Sequence, residues 1–313
     1  MTPLVVTPGD PRGIGPEVVG KALARWAGPV VVIGDAAALG RWVPRLVPVD
    51  AIAAVQHGVA VLDPGDRGEP VEVASLRLAV AACRAGEARA VVTGPIHKGR
   101  LAARGFRHPG HTEFLAELCG VEHVVMGFLG GRVRVSLATV HLPLRSVADA
   151  LDRGAVVRAI AASDRALRAW VRGPRARIAV CGLNPHAGDG GVLGREDLEV
   201  VAPAVADAVA AGIDAVGPWS AEACFRAAVR DEVDWVVAMY HDQGLAPLKA
   251  LEWAGPPEQR AVNVTLDLPI LRVGVDHGTA DDIAGRGIAD EGSLFAALSF
   301  ADRWSMPHRN ISD

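Results

Sequence analysis

The 313-residue chain is half hydrophobic, 22% charged and carries a formal net charge of −4, with glycine and proline spread along its length. This profile excludes a disordered or fibrous chain. Without a basic run or interleaved aromatics it also lacks the footprint of a nucleic-acid binder. The length suggests two domains, or three.

Short β-branched or apolar runs alternate with helical patterns, which predicts βαβ units and a mainly parallel sheet. The expected strands are 4–7, 30–33, 90–93, 133–140, 177–181, 235–239, 262–266 and 271–275. Between the first two, Val18, Val19, Ala22, Leu23 and Trp26 share one helical face, with Pro16 suited to the first turn and Lys21 on the exposed face. Ser146 and Asp149 predict an N-cap for a helix running towards Trp170 and stopping at Gly173-Pro174. Further helices are expected over 196–211 and 293–304, and Trp253–Arg260 is the best candidate for a surface loop. No window approaches 18 apolar residues, so no membrane span is expected. The N-terminus has no basic region and its apolar stretch is too short for a signal peptide, and Cys83, Cys119, Cys181 and Cys224 form no CxxC pair. Free thiols and a cytoplasmic address are the expectation.

In an open parallel sheet, ligands bind beyond the carboxyl ends of the strands, so the residues after each run are informative. PGDPRGIGPE, GPIHKG, HLPLR, GLNPHAGDGG, YHDQGLAPLK and DHGTADDIAGRG follow six of the runs. These six ends concentrate Gly, His, Asp, Asn and Lys, the pattern of one composite active site. Three present one histidine each: His141, His186 and His241. Three imidazoles leave coordination positions open, as a catalytic divalent metal requires. Taken one at a time, each histidine reads better as a hydrogen-bonded structural residue; only their joint placement at equivalent strand ends points to a shared metal. Asp242, Asp189 and Asn184 could support the ligands or reach the metal. His97, His108 and His111 form a second set, better suited to an anion.

The glycines of GDPRGIGPE precede a helix start, where backbone amides can face an anion, although the motif is not GxGxxG. HGTADDIAGRG offers Thr279, Asp281, Asp282 and Arg286, with a tight turn as the plain alternative. The only lysines are Lys21, Lys98 and Lys249. Where arginine is otherwise preferred, the two in strand-end loops, Lys98 and Lys249, become ligand candidates.

GDPRGIGPE, TGPIHKG, GHTEFLAE, THLPLR, CGLNPHAGDGG, AMYHDQGLAPLK, VNVTL and VDHGTADDIAGRG together resemble the 4-hydroxythreonine-4-phosphate dehydrogenases of pyridoxal phosphate biosynthesis. The match is collinear from about residue 5 to about residue 300. GIGPE and HGTADDIAGRG are also similar to the wider isocitrate and isopropylmalate dehydrogenase superfamily. The resemblance implies two α/β/α domains with a mainly parallel sheet and an active site in the interdomain cleft. The expected domains are residues 1–125 plus 271–313, carrying the NAD loops, and 126–270, carrying the metal histidines and dimer contacts.

The resemblance also implies roles. His141, His186 and His241 match metal ligands, with His241 supplied by the partner subunit of a homodimer sharing its active sites. His111, Thr112, Lys249, Asn263 and Arg272 match substrate-binding positions, and Lys249, His111 and Asp242 are the catalytic candidates. His277, Gly278, Thr279, Asp282 and Gly285 match the nicotinamide-cofactor site, NAD being favoured over NADP. Three imidazoles favour Zn2+, with Mg2+, Mn2+ and Co2+ compatible. The implied reaction oxidises the C3 hydroxyl of 4-phosphohydroxy-L-threonine and then decarboxylates it to 3-amino-2-oxopropyl phosphate. The alternatives are the similar oxidations of 4-phospho-D-threonate, 4-phospho-D-erythronate or a cis-dihydrodiol. His108-Pro109 and the insertion Trp253–Arg260 depart from the pattern beside substrate positions. Two other classes stay open: a non-catalytic sugar-phosphate or nucleotide binder, and a metal-dependent phosphatase or aldolase that would leave HGTADDIAGRG unexplained.

Overall fold

Buried β-branched runs form the strands, and the connecting helices lay their apolar faces against them. The computed structural model describes residues 1–43, 45–108, 110–129, 131–170, 176–253, 255–256 and 260–305. The strands are β1 (Leu4–Thr7), β2 (Val30–Ile33), β3 (Val47–Pro48), β4 (Val59–Leu62), β5 (Val91–Thr93), β6 (Val125–Leu129), β7 (Val135–Leu137), β8 (Ile178–Cys181), β9 (Ala215–Trp219), β10 (Trp235–Ala238), β11 (Val262–Leu266) and β12 (Arg272–Gly274). The first helices are α1 (Gly15–Ala24), α2 (Ala36–Leu39), α3 (Val71–Arg84), α4 (Lys98–Ala103) and α5 (His111–Cys119). They are followed by α6 (Val147–Ala150), α7 (Arg153–Trp170), α8 (Ala202–Ala210), α9 (Ala221–Val229), α10 (His241–Glu252) and α11 (Gly292–Trp304). Among the described residues no helix is long and apolar enough to cross a membrane.

The chain divides into two units, one joining Met1–Val124 to the segment from Val262 onward, the other the continuous stretch Val125–Ala261. The first unit carries the strand order β3-β4-β2-β1-β5-β12-β11, parallel except where β12 meets β11. That antiparallel pairing joins β11 to the first unit, whereas the sequence reading assigns residues 262–270 to the second domain. The second unit carries β6-β7-β10-β8-β9, parallel except between β6 and β7. Parallel strands covered on both faces are apolar throughout, and β1, β2, β8 and β10 are buried at every position. In the second unit Trp235 is fully buried, and its indole Nε1 donates to Ser136 Oγ at 3.1 Å. Ser136 and Ser163 share a 2.7 Å hydroxyl contact, tying α7 to the sheet.

Three local expectations change. The helix expected from Ser146 is two helices, α6 and α7, broken at the extended Leu151. Ser146 caps nothing with its side chain; Asp152 Oδ1 accepts the Ala155 amide at 2.6 Å instead, a charged acceptor replacing a hydroxyl. The proposed stop at Gly173-Pro174 lies outside the described residues. The helix expected over 196–211 begins as a wide π turn, Asp197–Val201, before α8. Pro203 has no amide to donate into a regular turn there.

Lys21 does not stand on an open helix face. Its Nζ donates to Glu17 Oε1 (2.9 Å), to the Gly287 carbonyl (2.9 Å) and to the Ala289 carbonyl (2.7 Å). The buried Glu17 carboxylate accepts the amides of Gly287 (3.2 Å) and Ala289 (2.8 Å). Burial pushes the Glu17 carboxyl up, but Lys21 and these amides together hold it below the usual range. Glu17→Ala strands two amides and the ammonium at once. The expected loss is about 2–4 kcal/mol of stability, read by urea unfolding against the parent protein.

Candidate active site

Arg272 opens β12, directly opposite Thr265 on β11 and beside β5. The residue is 5% exposed. Nη1 donates to Asn263 Oδ1 and Thr265 Oγ1, both at 3.1 Å, and Nη2 donates to Thr93 Oγ1 at 2.6 Å. Asn263 and Thr265 share one face of β11 because side chains alternate along a strand. Nη2 also donates to His111 Nδ1 at 3.4 Å. The guanidinium lies over Gly274, where a Cβ would come within 2.5 Å of Nη2; only glycine leaves that space. Burial lowers the Arg272 pKa from its usual value to about 10. Among the described residues no carboxylate forms an ion pair with it. A buried cation held by neutral groups lacks its counter-charge, and that calls for an anionic ligand.

His111 is the first residue of α5. Burial, then the charges of Arg272 and Lys98, hold its pKa well below the ordinary value, so the ring is neutral. Arginine can only donate, so Nδ1 accepts and the ring proton sits on Nε2, which is buried with no protein partner. Arg272 Nε is likewise buried and unpartnered. Both are buried donors left unsatisfied by the protein. Lys98 brings its ammonium close to Gly110, whose Cβ position lies 3.7 Å from Nζ. Thr112 follows His111 in the first turn, half-buried.

Of the second histidine set, only His111 faces this cluster. His97 Nδ1 accepts the Arg100 amide at 3.1 Å, capping α4, and His97 Nε2 lies 3.7 Å from Asp281 Oδ2. His108 packs on Phe106 and Phe114 and reaches Glu117 Oε2 at 3.3 Å.

The two glycine-rich motifs meet. Ile14 N donates to Thr279 O at 2.9 Å, and a Cβ on Gly13 would lie 2.9 Å from Thr279 Cβ. The loop from His277 to Gly287 thus rests on the 9–15 turn while Gly278, Asp282 and Gly285 stay exposed. His277 Nδ1 lies 3.0 Å from the Gly278 carbonyl.

In the second unit, β7 and β10 are parallel neighbours, and their ends deliver His141 and His241 side by side. The ring centroids are 5.6 Å apart. Thr139 Oγ1 donates to the Met239 carbonyl at 2.7 Å, fixing the two strand exits together. His241 Nδ1 donates to Asp242 Oδ1 at 2.7 Å, which leaves Nε2 as the free, basic nitrogen. Gln243, which no motif singles out, accepts the Met239 amide and donates to the Gly182 carbonyl, each at 2.7 Å.

His186 stands apart. It opens a run of left-handed residues, His186 to Gly190, whose φ values lie between 45° and 79°. Its ring is exposed. The buried Asp197 organises the preceding turn, accepting the amides of Leu183 (2.6 Å) and Asn184 (3.0 Å). Asn184 spends its side-chain amide on Glu196 and Asp197. Among the described residues no three His, Cys, Asp or Glu side chains are grouped to hold a metal. One chain therefore brings together two of the three expected ligands. Those two suit a metal, since they are neighbouring imidazoles and one is oriented by a carboxylate.

Lys249 lies two turns along α10 from His241 and is half-buried. Burial lowers its pKa; Glu252 opposes that shift and Arg260 reinforces it. Of the expected insertion, residues 254 and 257–259 lie outside the described residues.

Residues 29–301 match the family model described as pyridoxal phosphate biosynthetic protein PdxA. The chain belongs to the PdxA family. A PdxA relative from Aromatoleum aromaticum, named 4-hydroxythreonine-4-phosphate dehydrogenase, is 44% identical over 95% of each chain. The solved 4-hydroxythreonine-4-phosphate dehydrogenase of Klebsiella pneumoniae is 36% identical, covering 98% of this chain and 100% of its own, with a TM-score of 0.86. A β-decarboxylating dehydrogenase from Thermococcus kodakarensis, 17% identical over 97% of this chain and 85% of its own, has a TM-score of 0.54 and shares the fold. The expected isocitrate dehydrogenase-like α/β class is the one found. This PdxA-family chain is an oxidoreductase of the dehydrogenase type.

Proposed function

We propose that the chain oxidises the C3 hydroxyl of 4-phosphohydroxy-L-threonine with NAD and then decarboxylates the product to 3-amino-2-oxopropyl phosphate. The observation that carries this reading is the buried Arg272, which has neutral partners and, beside it, the unpartnered His111 Nε2. Its relatives' shared name supplies the phosphorylated substrate.

The residues divide the work. Arg272, His111, Thr112, Asn263 and Lys98 bind anionic groups of the substrate. The loop His277, Gly278, Thr279, Asp282 and Gly285 binds NAD, the open Gly278 leaving room against the backbone. His141 and His241 hold a divalent metal, Zn2+ first among the candidates, with Asp242 fixing the His241 ring. When bound, the metal supplies Lewis acidity to the substrate hydroxyl oxygen. The hydroxyl loses its proton and C3 loses hydride to NAD, giving a β-keto acid; loss of CO2 then leaves a carbanion that takes up a proton. Lys249, its ammonium destabilised by burial, is the residue we assign to proton transfer.

His241 pairs with His141 within one chain, which departs from the expectation that His241 is the partner's ligand, so we assign the third imidazole, His186, to a second copy of the chain. Leu144 (71% exposed) and Val192 (79%) flank these histidines in sequence, and apolar groups so exposed suit a homodimer. The four cysteines are free thiols, in keeping with a cytoplasmic enzyme.

The test is NADH formation from 4-phosphohydroxy-L-threonine, run beside 4-phospho-D-threonate, 4-phospho-D-erythronate and a cis-dihydrodiol, each with NAD and NADP. Preference for any substrate but the first would overturn the substrate assignment. Inorganic phosphate should by itself raise the melting temperature by a few degrees through Arg272, on the order of 1–3 kcal/mol of linkage at saturation. An Arg272→Met protein should lose that response.

A further inference from the structure

The guanidinium of Arg100, on α4, joins two loops far apart in sequence. Its Nε donates to Asp10 Oδ2 at 2.6 Å, in the turn after β1. Nη1 and Nη2 take the two oxygens of Asp281, at 2.6 and 3.1 Å. Asp10 is itself fixed: its side chain is fully buried, and Oδ1 accepts the Arg12 amide at 2.9 Å. Asp281 belongs to the 277–287 loop, is 44% exposed and follows the left-handed Ala280. His97 Nε2 lies 3.7 Å from Oδ2 of the same carboxylate. The loop is thus held near its middle by a forked, two-point ion pair, and at its far end by Glu17 and Lys21.

We propose that Arg100 is a positioning residue that latches the 277–287 loop through Asp281 into the conformation that receives the dinucleotide. The inference rests on the assignment of that loop to NAD. A planar fork suits the task, since it fixes both direction and distance where a single point charge fixes only distance. The latch holds across the working pH range. Arg100, then Thr279, keep the Asp281 carboxyl at about 2, below its ordinary value. The KM for NAD of the parent enzyme should therefore be flat from weakly acidic to weakly alkaline pH.

The experiment uses the intact, metal-loaded enzyme. Initial rates give separate KM values for NAD and for the phosphorylated substrate in Arg100→Ala, Arg100→Lys, Asp281→Asn and the Arg100→Ala/Asp281→Asn double variant. Asp281→Asn leaves the Arg100–Asp10 contact in place, which guards against mere failure to fold. Each alanine or asparagine variant should raise the KM for NAD about tenfold, with substrate KM within about twofold, and the double variant should be no worse than either single. Arg100→Lys should recover part of the loss. An unchanged KM for NAD, additive single effects, or parallel rises in both KM values would overturn the latch. Hydrogen exchange of the parent enzyme separates the two levels. If NAD leaves residues 277–287 unprotected, the loop assignment fails and the latch with it. If NAD protects them and Arg100→Ala alters neither that protection nor the KM, only the latch fails.

Discussion

Replacing Arg272 with alanine should lower kcat/KM for the phosphorylated substrate by about 10^2–10^3, the usual penalty for truncating one partner of a buried, hydrogen-bonded charge pair. Most of the loss should appear as a raised KM, because the guanidinium is assigned to binding the anion rather than to the reacting carbon. Arg272→Lys keeps the charge but cannot reach Asn263, Thr265 and Thr93 together, so it should recover little. Gly274→Ala gives a second route to the same result, since a methyl there displaces the guanidinium without removing it. The pH dependence has a definite sign. Burial depresses the Arg272 pKa to about 10, below its unfolded value, so the empty site carries an uncompensated cation at every pH below that. The destabilisation lifts only as pH rises from about 10 towards the unfolded value, and an anion relieves it below. Substrate affinity should accordingly hold up to about pH 10 and fall above it. Wild-type kcat/KM in Arg272→Ala would remove the anion site from the mechanism.

Stripping the divalent metal should suppress NADH formation at least about 10^3-fold, because Lewis-acid stabilisation contributes several kcal/mol to such steps. His141→Ala and His241→Ala should reproduce that loss, and added metal should not rescue them. Asp242→Asn should do something different. It weakens the orientation of the His241 ring, so activity should return at metal concentrations about 10–100-fold higher. His186→Ala should also abolish turnover, although its ring joins no cluster within one chain. Mixing inactive His186→Ala with inactive His241→Ala subunits tests the shared site directly, since hybrids then contain one intact set. Full turnover by metal-free protein would sink this part of the mechanism.

Apolar parallel strands mark themselves in sequence, and the polar residues after them have few other reasons to cluster, so the strand ends mark the candidate site. His141 and His241 lie side by side within one chain because β7 and β10 are adjacent, whereas the resemblance implies that His241 comes from the partner subunit. The supporting residues were less legible. Thr93 and Thr265 look like ordinary strand threonines until register sets them around Arg272. Asp197 and Gln243 become visible only when the amides they fix are known. The setting of Lys21 is not legible because the helical pattern identifies the buried face but not a distant segment that covers the other face. Arg100 had no signal at all in a chain rich in arginine. Its meaning depends on two loops, 90 and 181 residues away, that only the folded chain brings to it.

The first unit is assembled from both ends of the chain, and this orders events on the ribosome. Residues 272–274 fill the place beside β5, so until they emerge Val91–Thr93 present an unpaired edge. The continuous segment Val125–Ala261 needs nothing that comes later within its own unit and can collapse first. The nascent N-terminal half must meanwhile wait with an open sheet, exposed to pairing with other chains. A release pause or truncation before residue 272 should therefore yield aggregates whose protected core lies in β1, β2, β4 and β5, while the middle of the chain is already folded.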